Sequence, residues 1–434
     1  MNRVKSRERG IRWGAATSLM SSASIALCSL FSVSISLNYL GKELYAIWAI
    51  ITAFFIWLQF FDLGLLSGLT NALTEAFGRE DYSAAKSYIS TSFFVSALIA
   101  AIGIPFWIYF SLSAPWDLWL HIAQTEHFVL VRKGICSMGI LFFVTLPFLI
   151  ANRILQAYQK MYILNLLLLV GYLLSFSLLL LGVYYKVSFL TLLISVCAVP
   201  YLCAAGVWVY LIQKMPWARL SWRHVNVLAF KRICASSFPL LAYQMINLLT
   251  VQMIPILLTS KVNLRSVADF SILWKIFQFL LIMVASLSTS YTAAAREAYE
   301  RGEKSWIRAS VKRLLAFQAG LITLASLPLI FAGDKLICLW TRMPMEASLH
   351  WGEWLLFSLC MLFSVFHTTL STLLNSLEKI LPQCLLSLIT FVLVWYVLQI
   401  AVAKSGLMAI FEGLLLAYCF SCFVSLRYLR KIYA

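Results

Sequence analysis

Charge is what this chain has least of. Only 12% of its 434 residues are charged, whereas a globular protein carries about 25%, and 62% are hydrophobic. So few charges could not clothe the surface of a soluble multidomain protein. Acids are scarcer than bases, 17 against 34, for a net charge of +17. That excess is not laid out as a nucleic-acid patch. Arg3, Lys5, Arg7, Arg9 and Arg12 open the chain, Lys214, Arg219 and Arg223 lie near its middle, Arg296, Arg301 and Lys304 follow, and Arg427, Arg430 and Lys431 close it. With the N-terminus inside a membrane-bounded compartment, all of these fall on the inner side, so the bias sets orientation and leaflet electrostatics and places both termini in the cytoplasm.

Other absences narrow the function. The basic start MNRVKSRERGIRW runs into an apolar stretch longer than a signal-peptide core and without a small-x-small cleavage site, which predicts a retained first helix. The ten cysteines are scattered. Cys419 and Cys422 form a lone CxxC in an apolar segment, without a second thiol pair or histidine cluster, so neither a zinc site nor a cofactor is expected. The largest outer segments, 111–133 and 333–352, are short. Asp117, His121, Glu126 and His127 are suggestive by type, but their spacing specifies no reaction, and an enzyme is not expected.

What the chain does have is apolar stretches of membrane-spanning length, since about twenty helical residues cross roughly 30 Å of hydrocarbon. The spans are 13–38, 44–68, 88–110, 134–154, 161–183, 188–212, 227–257, 267–292, 313–332, 353–374, 382–403 and 405–427. Segment 111–133, with Trp116, Trp119, His121 and His127, is expected as a short interfacial helix. EAFGRED at 75–81 matches EAYERGE at 297–303; the same offset of 222 sets Ala46 on Ala268 and Trp48 on Phe270, and Pro105 falls one residue from the counterpart of Pro328. The pattern predicts an all-α polytopic membrane protein of about twelve spans in two parallel-repeat six-helix bundles, 1–212 and 227–434, joined by a cytoplasmic linker, 213–226.

Polar residues inside spans carry the functional expectations. Asp62 stands toward the inner end of the second span, followed by Gly64, Gly68 and Asn71. It either caps a tightly packed neighbour or takes part in gating or ion coupling. In the first span Ser18, Ser22, Ser29, Ser32 and Ser36 recur near helical spacing. In the seventh, Tyr243, Asn247 and Thr250 share a face near Gln244 and Gln252, with Pro239 and Pro255 breaking ideal geometry. Both faces are expected to line one polar cleft. Lys275 either meets an anionic phosphate or snorkels, Arg153 has the same ambiguity, and Arg132 and Lys133 could meet a lipid phosphate at the outer entrance. Glu412 and His367 are further coupling candidates, the histidine otherwise a hydrogen-bonded core residue; Gln278 and Asn375 are polar without a specific signature.

The stretch FDLGLLSGLTNALTEAFGREDYSAAKSY, residues 61–88, resembles the bacterial O-antigen and polysaccharide flippase family of the multidrug/oligosaccharidyl-lipid/polysaccharide exporter superfamily, with Asp62, Gly64, Gly68, Asn71 and Tyr82 as the matching positions. The resemblance implies a flippase of the bacterial inner membrane carrying undecaprenyl-diphosphate-linked oligosaccharides between leaflets by alternating access, with H+ or Na+ coupling and polysaccharide polymerases as partners. The rival expectation is a multidrug or organic-cation exporter of the same architecture. Such an exporter would favour an acidic or aromatic chamber, for which Asp62 and Glu412 are available.

Overall fold

The structure, a computed structural model, describes residues 2–62, 65–120, 125–158, 160–215, 219–235, 238–300, 304–345, 349–376 and 380–433. They form sixteen α-helices with short 3₁₀ turns: α1 Asn2–Trp57, α2 Leu65–Gly78, α3 Tyr82–Ser113, α4 Trp116–Leu120, α5 Thr125–Thr145, α6 Ile150–Ala157, α7 Met161–Tyr184 and α8 Phe189–Lys214, then α9 Val227–Ala235, α10 Phe238–Gln252, α11 Ile254–Lys261, α12 Leu264–Glu300, α13 Lys304–Thr341, α14 Trp351–Ser376, α15 Ile380–Ser405 and α16 Met408–Tyr433. Helices are the economical answer for an apolar chain in lipid, because each satisfies its backbone polar groups internally.

Among the described residues, ten helices are long and apolar enough to cross a membrane. The first, Met20–Trp57, has 38 residues, about 57 Å at 1.5 Å per residue and nearly twice the hydrocarbon thickness. Gly41 resolves the excess: its φ of 75° and ψ of 170° interrupt the helix. That φ is readily adopted only by a residue without a Cβ. With the break, and with the 37-residue α12, each of the twelve expected spans has a helix. The chain is an all-α polytopic membrane protein of two helical bundles.

Two compact units emerge, one of residues 1–28 and 50–241, the other of 29–49 and 242–434. In the first unit α2, α3, α6, α8 and α9 close around Leu65, Leu69, Leu73, Ile89, Ile150, Ile154, Leu211 and Ile233. An aromatic group of Phe54, Phe110, Trp116 and Trp119 surrounds α4. Trp116 is fully buried and donates its indole N–H to the Ser111 carbonyl at 2.8 Å. Segment 116–120 is thus a short helix as expected, but Trp116 is a core residue and not an interfacial anchor. His121 lies outside the described residues.

Pro147 ends α5 in a 3₁₀ turn, Leu146–Leu149, and α6 restarts beyond it. The seventh expected span is also divided. Pro255 opens α11, and α9 is a separate short helix packed on α2 and α3. The chain before α9 is pinned to α3: the Ser221 and Asn226 amides donate to Ser90 Oγ (3.2 Å) and Thr91 Oγ1 (3.0 Å), Ser87 donates to the His224 carbonyl (2.9 Å), and Trp222 stacks on Phe94 at 3.6 Å.

The charges after Asp62 build the turn between α2 and α3. Glu80 holds the left-handed conformation (φ 57°), and Asp81 caps α3 by accepting from the Ala84 amide at 2.9 Å. Glu75 binds Arg79 at 2.7 Å and Arg232 of α9 at 2.6 Å. The hydrogen bond from Arg232 holds the Glu75 carboxyl below its ordinary value.

In the second unit α14 packs on α12, α13 and α16, and α15 on α16. Phe270, Phe277, Phe357 and Phe411 fill one part of this unit, and Ile307, Leu370, Leu373, Cys422 and Leu429 another.

Close packing of α3 and α5 depends on glycine. A Cβ on Gly139 would lie 1.7 Å from Trp107 Nε1, and Trp107 is fixed by its bond to the Ile135 carbonyl at 3.0 Å. Gly139→Ala is therefore expected to lower stability by about 1–3 kcal/mol, read as a drop in the thermal unfolding midpoint in detergent. Gly206→Ala, where nothing lies within 4 Å, should leave the midpoint unchanged or raise it.

Candidate functional site

Three polar constellations interrupt this apolar body. The first lies in the first unit, between α1 and α2. The last residue of the 3₁₀ turn Leu58–Asp62 is half-buried Asp62, and α2 begins three residues later. The expected span therefore passes from α-helix to a 3₁₀ turn at Leu58, with the aspartate as the last residue of that turn. Arg153 on α6 lies within electrostatic reach of Asp62, and its guanidinium donates to Gln156 Oε1 at 3.2 Å. The structure thus brings Asp62 and Arg153 together. Gly68 is buried on α2, Asn71 is exposed, and Gly64 lies outside the described residues.

The second constellation is in the second unit, where α10, α14 and α15 meet in a seam through Tyr243, Asn247, Ser371, Gln383 and Ser387, none of them formally charged. Asn247 Nδ2 donates to the Tyr243 carbonyl at 2.8 Å and to Ser387 Oγ at 3.2 Å. The Tyr243 hydroxyl is hydrogen-bonded to the Ser371 side chain. Gln383 Nε2 donates to the Ser371 carbonyl. Tyr243 and Asn247 are four apart on α10, as Gln383 and Ser387 are on α15, so each pair shares a face. Gln383 is only 2% exposed. Its Oε1 is buried and has no hydrogen-bond partner among the described residues. Amide orientation is settled chemically here: a carbonyl can only accept, so the nitrogen must face Ser371. Asn247 is similarly committed, both amide hydrogens being spent, which leaves its Oδ1. The buried group left unanswered in the seam is the Gln383 carbonyl oxygen.

The third constellation fastens segment 29–49 into the second unit. Ser34 donates to the Trp340 carbonyl at 2.6 Å, the Trp340 indole to the Leu30 carbonyl at 3.2 Å, and Asn38 to the Thr341 carbonyl at 2.8 Å. Past Gly41, Lys42 meets Asp269 at 3.2 Å and Glu43 meets Arg265 at 3.0 Å. Glu43 and Arg265 are 222 residues apart, the offset of the sequence repeat.

The remaining candidates are dispersed. Ser22 and Ser29 are half-buried on α1, and Lys275 and Gln278 half-buried on α12. Arg132 is half-buried on α5, its Nε without a hydrogen-bond partner among the described residues, beside exposed Lys133. Glu412 is exposed on α16. His367 is buried on α14, its Nδ1 2.7 Å from Ser421 Oγ and its ring stacked on Tyr418 at 5.3 Å. The side chains of Asn375 and of residues 296–300 lie outside what is described, as do residues 301–303, and exposed Lys304 opens α13. Gln383, Ser387, Ser371, Lys42 and Asp269 were not singled out from sequence; Gln383 and Ser387 are four apart in an apolar span, the one signal that could have drawn attention to them.

No family model matches the sequence, and no curated protein sequence matches it. Solved structures do. An inward-facing multidrug resistance MATE-family transporter of the MOP superfamily superposes with a TM-score of 0.77 at 13% identity, covering 95% of this chain and 98% of that one. Its outward-facing counterpart gives 0.66 at 13%, covering 98% of each. A Vibrio cholerae MATE transporter gives 0.64 at 15%, covering 97% and 99%. A MOP-superfamily transporter from Pyrococcus furiosus, described as having a binding pocket of reversed polarity that suggests a different function, gives 0.63 at 12%, covering 98% and 99%. The chain thus resembles polytopic MATE and MOP-superfamily transporters in fold.

These matches correct the flippase expectation. They favour the multidrug-type alternative over a carrier of undecaprenyl-diphosphate-linked oligosaccharide, and the polysaccharide and polymerase assignments lose their support. The physical picture agrees. A diphosphate needs positive charge, whereas the seam has a buried oxygen without a donor among the described residues, and Arg153 lies beside Asp62.

Burial ranks the two ion pairs. Asp269 is 2% exposed, while Glu43 and Arg265 reach solvent. Arg265→Gln is expected to cost about 0–1 kcal/mol. Lys42→Met, which takes the cation from a buried carboxylate, is expected to cost about 3 kcal/mol or more, with partial recovery in Lys42→Met/Asp269→Leu. Thermal unfolding of the four proteins checks this; equal shifts for the two single variants would contradict it.

Proposed function

We propose that this chain is a secondary transporter that exports organic cations by alternating access, driven by a proton or sodium gradient. The observation that carries the reading is the full-length likeness of fold to transporters described as multidrug resistance proteins. The buried Gln383 oxygen in the seam of α10, α14 and α15, without a donor among the described residues, supports it, because a cation carries positive charge toward an oxygen with lone pairs to spare.

On this reading the protein lies in a bacterial cytoplasmic membrane with both termini in the cytoplasm, as its basic inner segments favour. The two compact units, residues 1–28 with 50–241 and residues 29–49 with 242–434, act as the two moving bodies. Asp62 and Arg153, at a break in a membrane-spanning run, are the groups best placed for gating or ion coupling, since discontinuous helices are where transporters concentrate such chemistry. Glu412 and His367 are secondary candidates for coupling. Gln278, Ser22 and Ser29 are candidates for the substrate path. No covalent chemistry is required: moving a charged molecule across hydrocarbon is costly because its hydration is lost, and protein dipoles replace part of that hydration.

Purified protein in proteoliposomes tests the reading. A fluorescent protonated amine such as doxorubicin should accumulate beyond its level in protein-free liposomes when a proton or sodium gradient is imposed, and an ionophore that dissipates the gradient should abolish the excess. Absence of that excess under both gradients would refute the assignment.

A further inference from the structure

A buried acceptor with nothing to accept from is destabilising. In the seam that acceptor is Gln383 Oε1. Its orientation is imposed from the other end of the same amide, since Nε2 must face the Ser371 carbonyl. One turn along α15, Ser387 receives the Asn247 amide, whose hydrogens also reach the Tyr243 carbonyl. Both Asn247 amide hydrogens and one of the two on Gln383 are spent within the seam, while the Gln383 oxygen stays buried without a donor among the described residues. Those two residues also differ usefully in exposure. Gln383 is sealed, whereas Asn247 and Tyr243 are half-buried, so the seam has a closed end and a more open one.

Accordingly, we propose that Gln383 Oε1 and Asn247 Oδ1, beside the Tyr243 ring, form a subsite for an N–H-bearing ammonium group, which makes the transporter selective for protonated amines over quaternary ammonium ions. The proposal rests on the cation-export reading and sharpens its substrate class. A protonated primary, secondary or tertiary amine carries at least one strongly polarised N–H to give to Gln383. A quaternary ammonium of similar size and equal charge has none, so it would leave the buried oxygen unsatisfied. Both cations gain equally from an aromatic face such as that of Tyr243, so the ring does not distinguish them. Discrimination comes from the hydrogen bond alone. Sites built to hydrogen-bond a donor reject analogues that lack it, because their own polar groups are then stranded.

The test uses the whole chain in detergent or nanodiscs and a matched probe pair, a phenylalkyl dimethylamine held protonated at neutral pH and its trimethylammonium counterpart. Wild type is expected to bind the protonated amine about tenfold more tightly, the worth of one charge-assisted hydrogen bond. Gln383→Met, similar in volume and without an acceptor, should remove that preference while leaving the quaternary ion's affinity unchanged. Gln383→Glu should retain or strengthen it. Thermal unfolding without ligand guards against a folding defect; were Gln383→Met to unfold, Asn247→Leu, at the more open end, should still narrow the preference.

Equal affinities for the two probes in wild type, or a preference that survives Gln383→Met, would overturn the subsite and assign the oxygen to a bound water. A substitution that instead changes the sodium dependence of both probes equally would assign it to an inorganic cation, which also overturns the proposal. Failure of both probes to bind or be transported would refute the cation-export reading itself, an outcome distinct from the others.

Discussion

Hydrocarbon does not hydrogen-bond, and the rest of the structure follows from that. Every backbone amide in the apolar spans must find its partner within its own helix, which is why a chain with 62% hydrophobic residues folds as helices. The same constraint governs the serines and threonines. Thr70, Ser177, Thr250, Thr259 and Thr390 each donate back to the carbonyl four residues earlier, disposing of a hydroxyl without a tertiary partner. Against that background a polar group that is not so disposed of stands out. Asp62 at its helix break, Asp269 beside Lys42 and Gln383 with an unanswered oxygen are such groups.

The ends of the helices obey different physics. Outside the hydrocarbon, charges are inexpensive and serve as fasteners. Glu75 holds Arg79 and Arg232, Asp81 caps α3, and α3 offers hydroxyls to backbone amides of the segment before α9. The polar tail that follows Asp62 in the sequence is therefore structural: it builds the α2–α3 turn and docks α9. Gly41 and the residues around it play a comparable part for segment 29–49, where hydroxyl and amide groups reach carbonyls at the end of α13 and two ion pairs follow.

Much of the fold was legible because hydrophobic runs and prolines act locally. Span positions followed from apolar length, and the division of the seventh span from Pro255. The burial of Trp116 was not legible, because an interfacial and a core tryptophan look alike until Phe54 and Phe110 are brought around it. Of the site, Tyr243 and Asn247 were visible as one helical face. Their partners were not, since Ser371 and Gln383 lie on other helices and nothing in the sequence says which helices meet. The substrate was misjudged for a related reason. The motif from Asp62 to Tyr82 suggested a lipid-linked glycan, yet its polar residues are occupied largely by turn-building, which says nothing about cargo. The supply of donors and acceptors inside the bundle speaks to cargo, and it emerged only in three dimensions.

The central claim is that the membrane-embedded polar seam presents spare acceptors to a cation. A cryo-electron microscopy map of the chain in nanodiscs, saturated with a heavy-atom-labelled protonated amine, tests it most directly. The account predicts density within hydrogen-bonding distance of Gln383 and Asn247, between α10 and α15. Density for that amine elsewhere with the seam filled only by water, or an anionic head group held against Arg153, would contradict it.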